Sequence, residues 1–197
     1  GSGASGWGVL LGLCRGVRVR SGPCPAAVAV ARVLGMADSE LEFFESLPRT
    51  RGAASALLRD DVGRVLLVKP TYRPGWGLPG GVIEMGESPL GACLRECAEE
   101  LGFTPRLSGL VCVDWLPAQA SPDRRPATVF VFAGRLAPGQ FEAVRLPPEE
   151  LSAAHLVEPD RIGEYLPEPQ ARRIGACVDG RADGVHYLEH GRPARWA

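Results

Sequence analysis

The chain has 197 residues and a net charge of -1, and apolar residues make up 45% of it. That length suits one globular domain with a short appendage, and the apolar fraction is enough to bury a core, which excludes global disorder. The near-zero charge gives no support for wholesale binding to nucleic acid or an anionic membrane, and no apolar run is long enough to cross a membrane.

Two composition features need an interpretation. Lys69 is the only lysine beside many arginines, and glycine and proline are abundant, with 25 and 18 residues. We interpret this bias as a GC-rich codon signature, not as a functional arginine surface. The six cysteines form no CxxC pair in a chain that is not a small cysteine-dense scaffold, so we expect reduced core cysteines.

The first predicted segment is an N-terminal extension over residues 1–35, followed by the main domain over 36–197. Residues 1–37 contain arginines but no acidic residue, and Gly1-Ser2-Gly3 resembles the remnant of an expression tag. A basic, acid-free N-terminus is also typical of a transit peptide. We favour a tag plus a non-native or flexible segment, because the composition turns acidic directly after Met36.

The next elements predict a helix and a hairpin. Residues 38–47 have helical periodicity that would place Leu41, Phe44 and Leu47 inward. Residues 52–58 and 64–68 are typical of two strands, and the Asp-Asp-Val-Gly sequence between them predicts a tight turn.

A central helix is predicted after a loop rich in glycine and proline. Ser88 is a suitable N-cap, Pro89 suits the first helical position, and Gly102 is placed to end the helix after Leu101. Further segments follow in chain order: strands over 107–115 and 128–136, a short strand near Leu156, a helix over 170–177 and a strand over 186–188. This order predicts an α/β layered domain with a mixed sheet.

The central helix carries a cluster of glutamates. Glu96, Glu99 and Glu100 project from one side by their spacing, and the opposite, apolar side is predicted to be buried; it comprises Leu90, Cys93, Leu94, Cys97 and Leu101. Clustered like charges near the C-terminus of a helix are unfavourable, and a divalent cation shared with substrate phosphates would explain them. The alternative interpretation is a solvated acidic face.

The surrounding residues favour the cation. They read Gly81, five residues, Glu87, seven residues, then Arg95-Glu96-Cys97-Ala98-Glu99-Glu100-Leu101-Gly102-Phe103. This string fills every fixed position of the Nudix box, and Leu78-Pro79-Gly80-Gly81 resembles the usual entry into the box. The chain therefore resembles the Nudix hydrolases. The resemblance is plausible from about residue 50 to 190 and implies an α/β/α sandwich with a mixed central β-sheet.

The resemblance also implies an activity and a set of site residues. Nudix enzymes hydrolyse a nucleoside diphosphate linked to another group, by water attack on phosphorus, with Mg²⁺ or Mn²⁺. Carried onto this chain, the metal ligands would be Glu96, Glu99, Glu100 and the carbonyl oxygen of Gly80. The catalytic residues would be Glu96, which is a candidate general base, and Glu100, Arg95 and Glu87, with Arg95 orienting the carboxylates or contacting phosphate.

Residues outside the glutamate cluster are weaker candidates. Gly81, Trp76 and Tyr72 are candidate substrate-binding residues, because the loop aromatics could stack on a base. Glu149 or Glu150 is a candidate additional ligand, and Asp114 ends a strand that could border the pocket. The three histidines match no metal-ligand spacing and are expected to be structural.

The substrate stays open at this point: ADP-ribose, a nucleotide sugar or a (d)NTP all fit. Two other functions also remain, a non-catalytic nucleotide-sensing module and a prenyl-diphosphate isomerase-like enzyme, for which Cys112 lies outside the box but more plausibly faces the core. We expect a nucleotide-type small-molecule partner, no nucleic acid and no membrane, and a cytoplasmic location. A homodimer is compatible with the sequence.

Overall fold

The computed structural model describes residues 38–121, 123–178 and 184–195. These residues fall in two units, one containing helix α1 (Asp38–Ser46) and one beginning at Thr50. The helix predicted over 38–47 is confirmed, but Phe44 and Leu47 are 55% and 41% exposed, so the predicted inward positions are wrong for both. The Phe44 ring instead contacts the neighbouring Phe43 ring edge-on. The predicted boundary at residue 35 lies outside the described residues.

The predicted hairpin is present as β1 (Arg51–Arg59) and β2 (Val65–Pro70). In its turn, the Asp60 carboxylate accepts hydrogen bonds from the backbone N–H and the Nε of Arg64, each at 2.7 Å. Gly63 has a φ of 98°, a conformation that glycine adopts without a steric penalty. The turn residues of the sequence thus fix the register of the two strands.

The described strands form one mixed sheet in the order β6-β2-β1-β5-β4-β7-β8, with the short β3 paired to β1. The β1–β5 and β4–β7 pairs are parallel and the other pairs are antiparallel. This confirms the mixed sheet. The remaining strands are β3 (Gly80–Val82), β4 (Leu107–Leu116), β5 (Ala127–Arg135), β6 (Leu151–Val157), β7 (His186–Glu189) and β8 (Arg192–Pro193).

Helices cover both faces of the sheet, as the α/β/α sandwich requires. Helix α2 (Pro89–Leu101) packs on one face, while α3 (Ile162–Tyr165) and α4 (Glu168–Val178) contribute to a second core on the other. The two-residue period of a strand divides β1 between them, with Ala56 and Leu58 facing α2 and Leu57 facing α4. Short 3₁₀ turns lie at Ala118–Ala120 and Pro159–Arg161.

The ends of α2 follow the predicted capping residues. The Ser88 hydroxyl accepts a hydrogen bond from the backbone N–H of Gly91 at 3.0 Å, and Gly102 ends the helix with a φ of 79°. Cys93, Cys97 and Leu101 are buried as predicted, whereas Leu90 in the first turn is 45% exposed. The buried face of α2 therefore begins at Ala92, and its opposite face is free to carry the glutamates.

Asp114 was a minor sequence candidate for the border of the pocket, and the structure buries it completely. Its side chain is fully buried beneath α4, where it accepts a hydrogen bond from Arg173 Nε at 2.6 Å and from the backbone N–H of Gly191 at 3.0 Å. A buried carboxylate needs such partners, and here they tie the C-terminal hairpin to β4. Among the described residues, no helix is long and apolar enough to cross a membrane.

Candidate active site

Two consecutive glycines shape the backbone at the entry to the site. Gly80 begins β3 with a φ of 138°, and a Cβ there would overlap the carbonyl oxygen of Ala54 on the adjacent strand. A Cβ on Gly81 would overlap the carboxylate of Glu96. The Gly80 N–H donates to Glu100 Oε2 at 2.8 Å. Both glycines therefore bring β3 into close contact with the carboxylates of α2.

Arg95 is the organising cation of the predicted cluster. Its Nε and Nη2 donate to the two oxygens of Glu87 at 3.0 and 3.1 Å, and its Nη1 donates to Glu96 Oε1 and Glu99 Oε2, each at 3.0 Å. Nη2 also donates to the carbonyl oxygen of Val82. The hydrogen bond between Arg95 and Glu87 lowers the pKa of Glu87, and the same bond raises the pKa of Arg95. These contacts occupy Arg95 with carboxylates and a carbonyl.

The carboxyl groups of Glu96 and Glu100 are held in a poorly hydrated environment. Burial raises the pKa of Glu96, and the Arg95 charge opposes that rise. Burial raises the pKa of Glu100 to about 8, against its hydrogen bond from Gly80. The charge of Glu150 adds to the rise in the pKa of both groups. Perturbed carboxyl groups of this kind are concentrated at functional sites.

Glu99 is arranged differently from its two neighbours. Its side chain is 56% exposed and pairs with Arg95. Within the described part of the chain, no group of three or more Asp, Glu, His or Cys side chains is gathered tightly enough to hold a metal ion. The donor chemistry still fits a hard divalent cation, because carboxylate oxygens are the ligands that such a cation prefers.

The two aromatic residues of the preceding loop have different surroundings. The Trp76 ring lies 4.4 Å from the His155 ring and 5.5 Å from the Tyr165 ring, measured between centroids, and it packs against the core on the α4 side. Tyr72 is 51% exposed; burial raises the pKa of its hydroxyl, and the charge of Arg73 opposes that rise. Stacking of either ring on a base stays a prediction.

The cysteines and histidines do not enter the carboxylate cluster. Cys93, Cys97, Cys112 and Cys177 are free thiols, and the first three are buried, as expected for core cysteines. Cys112 belongs to the core on the α4 side of the sheet, the side opposite α2. The sequence did not single out Arg73, whose positive charge lowers the pKa of Glu100.

Comparison with known proteins identifies the family. The NUDIX domain profile matches residues 49–176. A "MutT-like protein" of Streptomyces ambofaciens is 31% identical over 70% of this chain and 80% of its own length. A "Putative 8-oxo-dGTP diphosphatase" of Bacillus subtilis is 30% identical over 68% of this chain and 83% of its own length.

Solved structures agree on the fold. The crystal structure of a MutT protein from Methanosarcina mazei Go1 superposes with a TM-score of 0.57 at 23% identity, covering 71% of this chain and all of the other. The chain belongs to the NUDIX family and is an enzyme of its pyrophosphohydrolase class. Enzymes of this family generally depend on a divalent metal ion.

Proposed function

We propose that this enzyme hydrolyses a nucleoside diphosphate linked to another group, by attack of water on phosphorus, with Mg²⁺ or Mn²⁺ as cofactor. The observation that supports this proposal most directly is the pair of poorly hydrated carboxyl groups, Glu96 and Glu100, which pack against the glycines of β3. Burying carboxyl groups beside one another is costly unless a cation or a proton compensates them. A bound divalent cation would supply that compensation.

The metal ligands would be Glu96, Glu99 and Glu100, with the Gly80 carbonyl oxygen and Glu150 as further candidates. Of the two late-loop acids predicted as additional ligands, Glu150 is favoured, because its charge acts on both Glu96 and Glu100. When bound, the divalent cation would neutralise phosphate oxygens and lower the pKa of a coordinated water.

The other charged side chains of the site position the carboxylates or accept a proton. Glu87 anchors Arg95 through two hydrogen bonds, and Arg95 in turn fixes the carboxylates of Glu96 and Glu99. Arg95 therefore acts as a positioning residue. Glu96 is the candidate general base, since burial moves its pKa upward, toward the range in which a carboxylate accepts a proton effectively.

The substrate range includes (d)NTPs, ADP-ribose and nucleotide sugars. The names of two relatives, a MutT-like protein and a putative 8-oxo-dGTP diphosphatase, favour (d)NTPs among these. Each of those relatives is about 30% identical to this chain. The preference is therefore a proposal that direct assays of this chain must test.

A nucleotide panel tests this function. The full chain is incubated with normal and oxidised (d)NTPs, ADP-ribose, nucleotide sugars, dinucleoside polyphosphates, NADH and coenzyme A, with Mg²⁺, Mn²⁺ or EDTA. Metal-dependent release of a nucleoside monophosphate is expected, and Glu100→Gln should abolish it while the protein stays folded. Absence of turnover on the whole panel, with nucleotide binding retained, would favour the sensing module instead.

The isomerase alternative has a separate outcome. Isomerisation of a prenyl diphosphate without phosphate release would replace hydrolysis as the activity, although the buried position of Cys112 on the other side of the sheet gives it no support. The homodimer and the cytoplasmic location also stay predictions. Size-exclusion chromatography with light scattering tests the first, and localisation of a tagged full chain tests the second.

A further inference from the structure

A cationic groove lies at the end of β2 and along the loop that leads to β3. It has a volume of about 560 Å³ and is lined by residues 69–74 together with Ser152. Lys69 and Arg73 contribute its two cations, and no acidic side chain is among the lining residues. A volume of this order is sufficient for a phosphate-bearing ligand.

The guanidinium of Arg73 is incompletely satisfied. Its Nη2 lies 3.3 Å from the position that a Cβ would take on Gly77. Its Nε is buried and has no hydrogen-bond partner among the described residues. A buried donor without an acceptor is destabilising, and a native structure that retains one invites an explanation. Arg95, by contrast, is engaged by carboxylates through all three of its nitrogens.

The groove adjoins the segment that carries Glu149 and Glu150. Thr71, which lines the groove, donates its hydroxyl to the carbonyl oxygen of Glu149 at 2.7 Å and its backbone N–H to that of Glu150 at 2.8 Å. Lys69 is exposed, with its ammonium nitrogen 5.9 Å from the centroid of the Trp76 ring. The two cations therefore line the groove from the end of β2 and from the loop that follows it.

We propose that Arg73 and Lys69 form a phosphate-binding subsite that holds the terminal phosphate of a nucleoside polyphosphate, a group that ADP-ribose and nucleotide sugars lack. This inference rests on the proposed function, and it selects nucleoside polyphosphates over substrates that end in a neutral sugar. Arg73 supplies the planar guanidinium that binds phosphate through paired hydrogen bonds, and Lys69 supplies a mobile point charge. Arg95, in contrast, is held among the carboxylates of Glu87, Glu96 and Glu99.

Calorimetric titration with inorganic pyrophosphate tests the subsite. The full chain is titrated in EDTA, so that neither metal nor turnover is needed. Arg73→Gln should raise the Kd about tenfold or more, as expected for loss of a charge-assisted hydrogen bond, and Arg73→Lys should restore part of the affinity. Arg135→Gln is the matched control, because Arg135 is exposed and lies far from the groove. It pairs with Arg59 of β1, which pairs with Val65 at the end of β2 opposite Lys69.

A second variant guards against misfolding. If Arg73→Gln lowers the thermal midpoint markedly, Lys69→Gln takes its place, and its Kd should rise about threefold while its thermal midpoint stays that of the wild type. Steady-state kinetics distinguishes a phosphate-binding role of Arg73 from a structural one. Arg73→Gln should raise KM for a nucleoside triphosphate more than for ADP-ribose. A purely structural role for Arg73 would affect both substrates equally.

The outcomes distinguish the two proposals. Unchanged pyrophosphate affinity in folded Arg73→Gln, or no pyrophosphate binding by the wild type, would overturn the subsite even if hydrolysis is observed. Arg73-dependent pyrophosphate binding by a protein that hydrolyses none of the panel would leave the subsite standing and refute the proposed activity.

Discussion

Replacing Glu100 with glutamine tests the electrostatic state of the site without any substrate. In the metal-free protein, burial raises the pKa of Glu100 from an ordinary 4.5 to about 8. The folded state therefore retains a proton that the unfolded chain releases between these pH values. Because the folded pKa is the higher one, the stabilisation is present at low pH and is lost as pH rises through about 8.

The magnitude follows from the shift. At about 1.4 kcal/mol per pH unit, a rise from 4.5 to about 8 lowers the free energy of unfolding by about 5 kcal/mol at most. Local relaxation and water entry reduce this value, so a loss of a few kcal/mol is expected. Glutamine stays neutral and its amide oxygen can still accept the hydrogen bond from Gly80. The Glu100→Gln protein should therefore lose much less stability with rising pH.

Urea unfolding in EDTA, at about pH 5 and about pH 9, measures the difference. Glu99→Gln is the matched control, because Glu99 belongs to the same helix but its side chain is 56% exposed. Its pH profile should follow the wild type. Parallel profiles for the wild type and Glu100→Gln would refute the assignment of a poorly hydrated Glu100. Mn²⁺ should stabilise the wild type at high pH and have little effect on Glu100→Gln, since the metal binds the folded ionised site.

Three further predictions concern the frame around the site. Gly81→Ala should cut hydrolysis about tenfold or more with a small change in thermal midpoint, because the new Cβ overlaps the Glu96 carboxylate; wild-type rates would refute the close contact. Asp114→Ala should lower the free energy of unfolding by about 3 kcal/mol, because it leaves Arg173 buried without its partner. A much smaller decrease would show that the Asp114–Arg173 pair is dispensable for stability. Deleting residues 1–35 should leave the thermal midpoint and hydrolysis rate unchanged, and a loss of either would assign those residues to the domain.

The elements best predicted from the sequence are those with strong local signals. The caps at Ser88 and Gly102 gave both ends of α2, and the turn residues located the β1–β2 hairpin. The mixed sheet followed from the order of the elements. The three-residue β3 and the two-residue β8 were missed, since segments of that length show no measurable two-residue period.

The burial of individual side chains was harder to predict. Asp114 was a weak candidate for the border of the pocket, and it lies fully buried beneath α4. Local sequence could not show this, because its partners Arg173 and Gly191 are distant in sequence. Leu90 matched the helical stripe but projects from the first turn into solvent. Helical periodicity assigns a face to a residue, whereas tertiary packing decides how far along the helix that face is covered.

The candidate site also contains residues that a local sequence pattern identifies and a residue that only the tertiary structure reveals. The glutamates and Arg95 could be named from their spacing, and their ion pairs follow from helical neighbours and the preceding loop. Arg73 could not be named from the sequence, because arginine is abundant throughout the chain and a single arginine therefore indicates little about function. Its burial and its proximity to Glu100 are tertiary properties that no local pattern reports.

The most direct test of the central claim is hydrolysis in water labelled with ¹⁸O, followed by mass spectrometry of the products. The full chain is incubated with Mn²⁺ and the best substrate of the nucleotide panel. Attack of water on phosphorus predicts one ¹⁸O atom in a phosphate group of a product, and no labelled product in EDTA or with Glu100→Gln. Label in a sugar hydroxyl, or labelled phosphate formed equally well in EDTA, would contradict metal-dependent attack on phosphorus by this site.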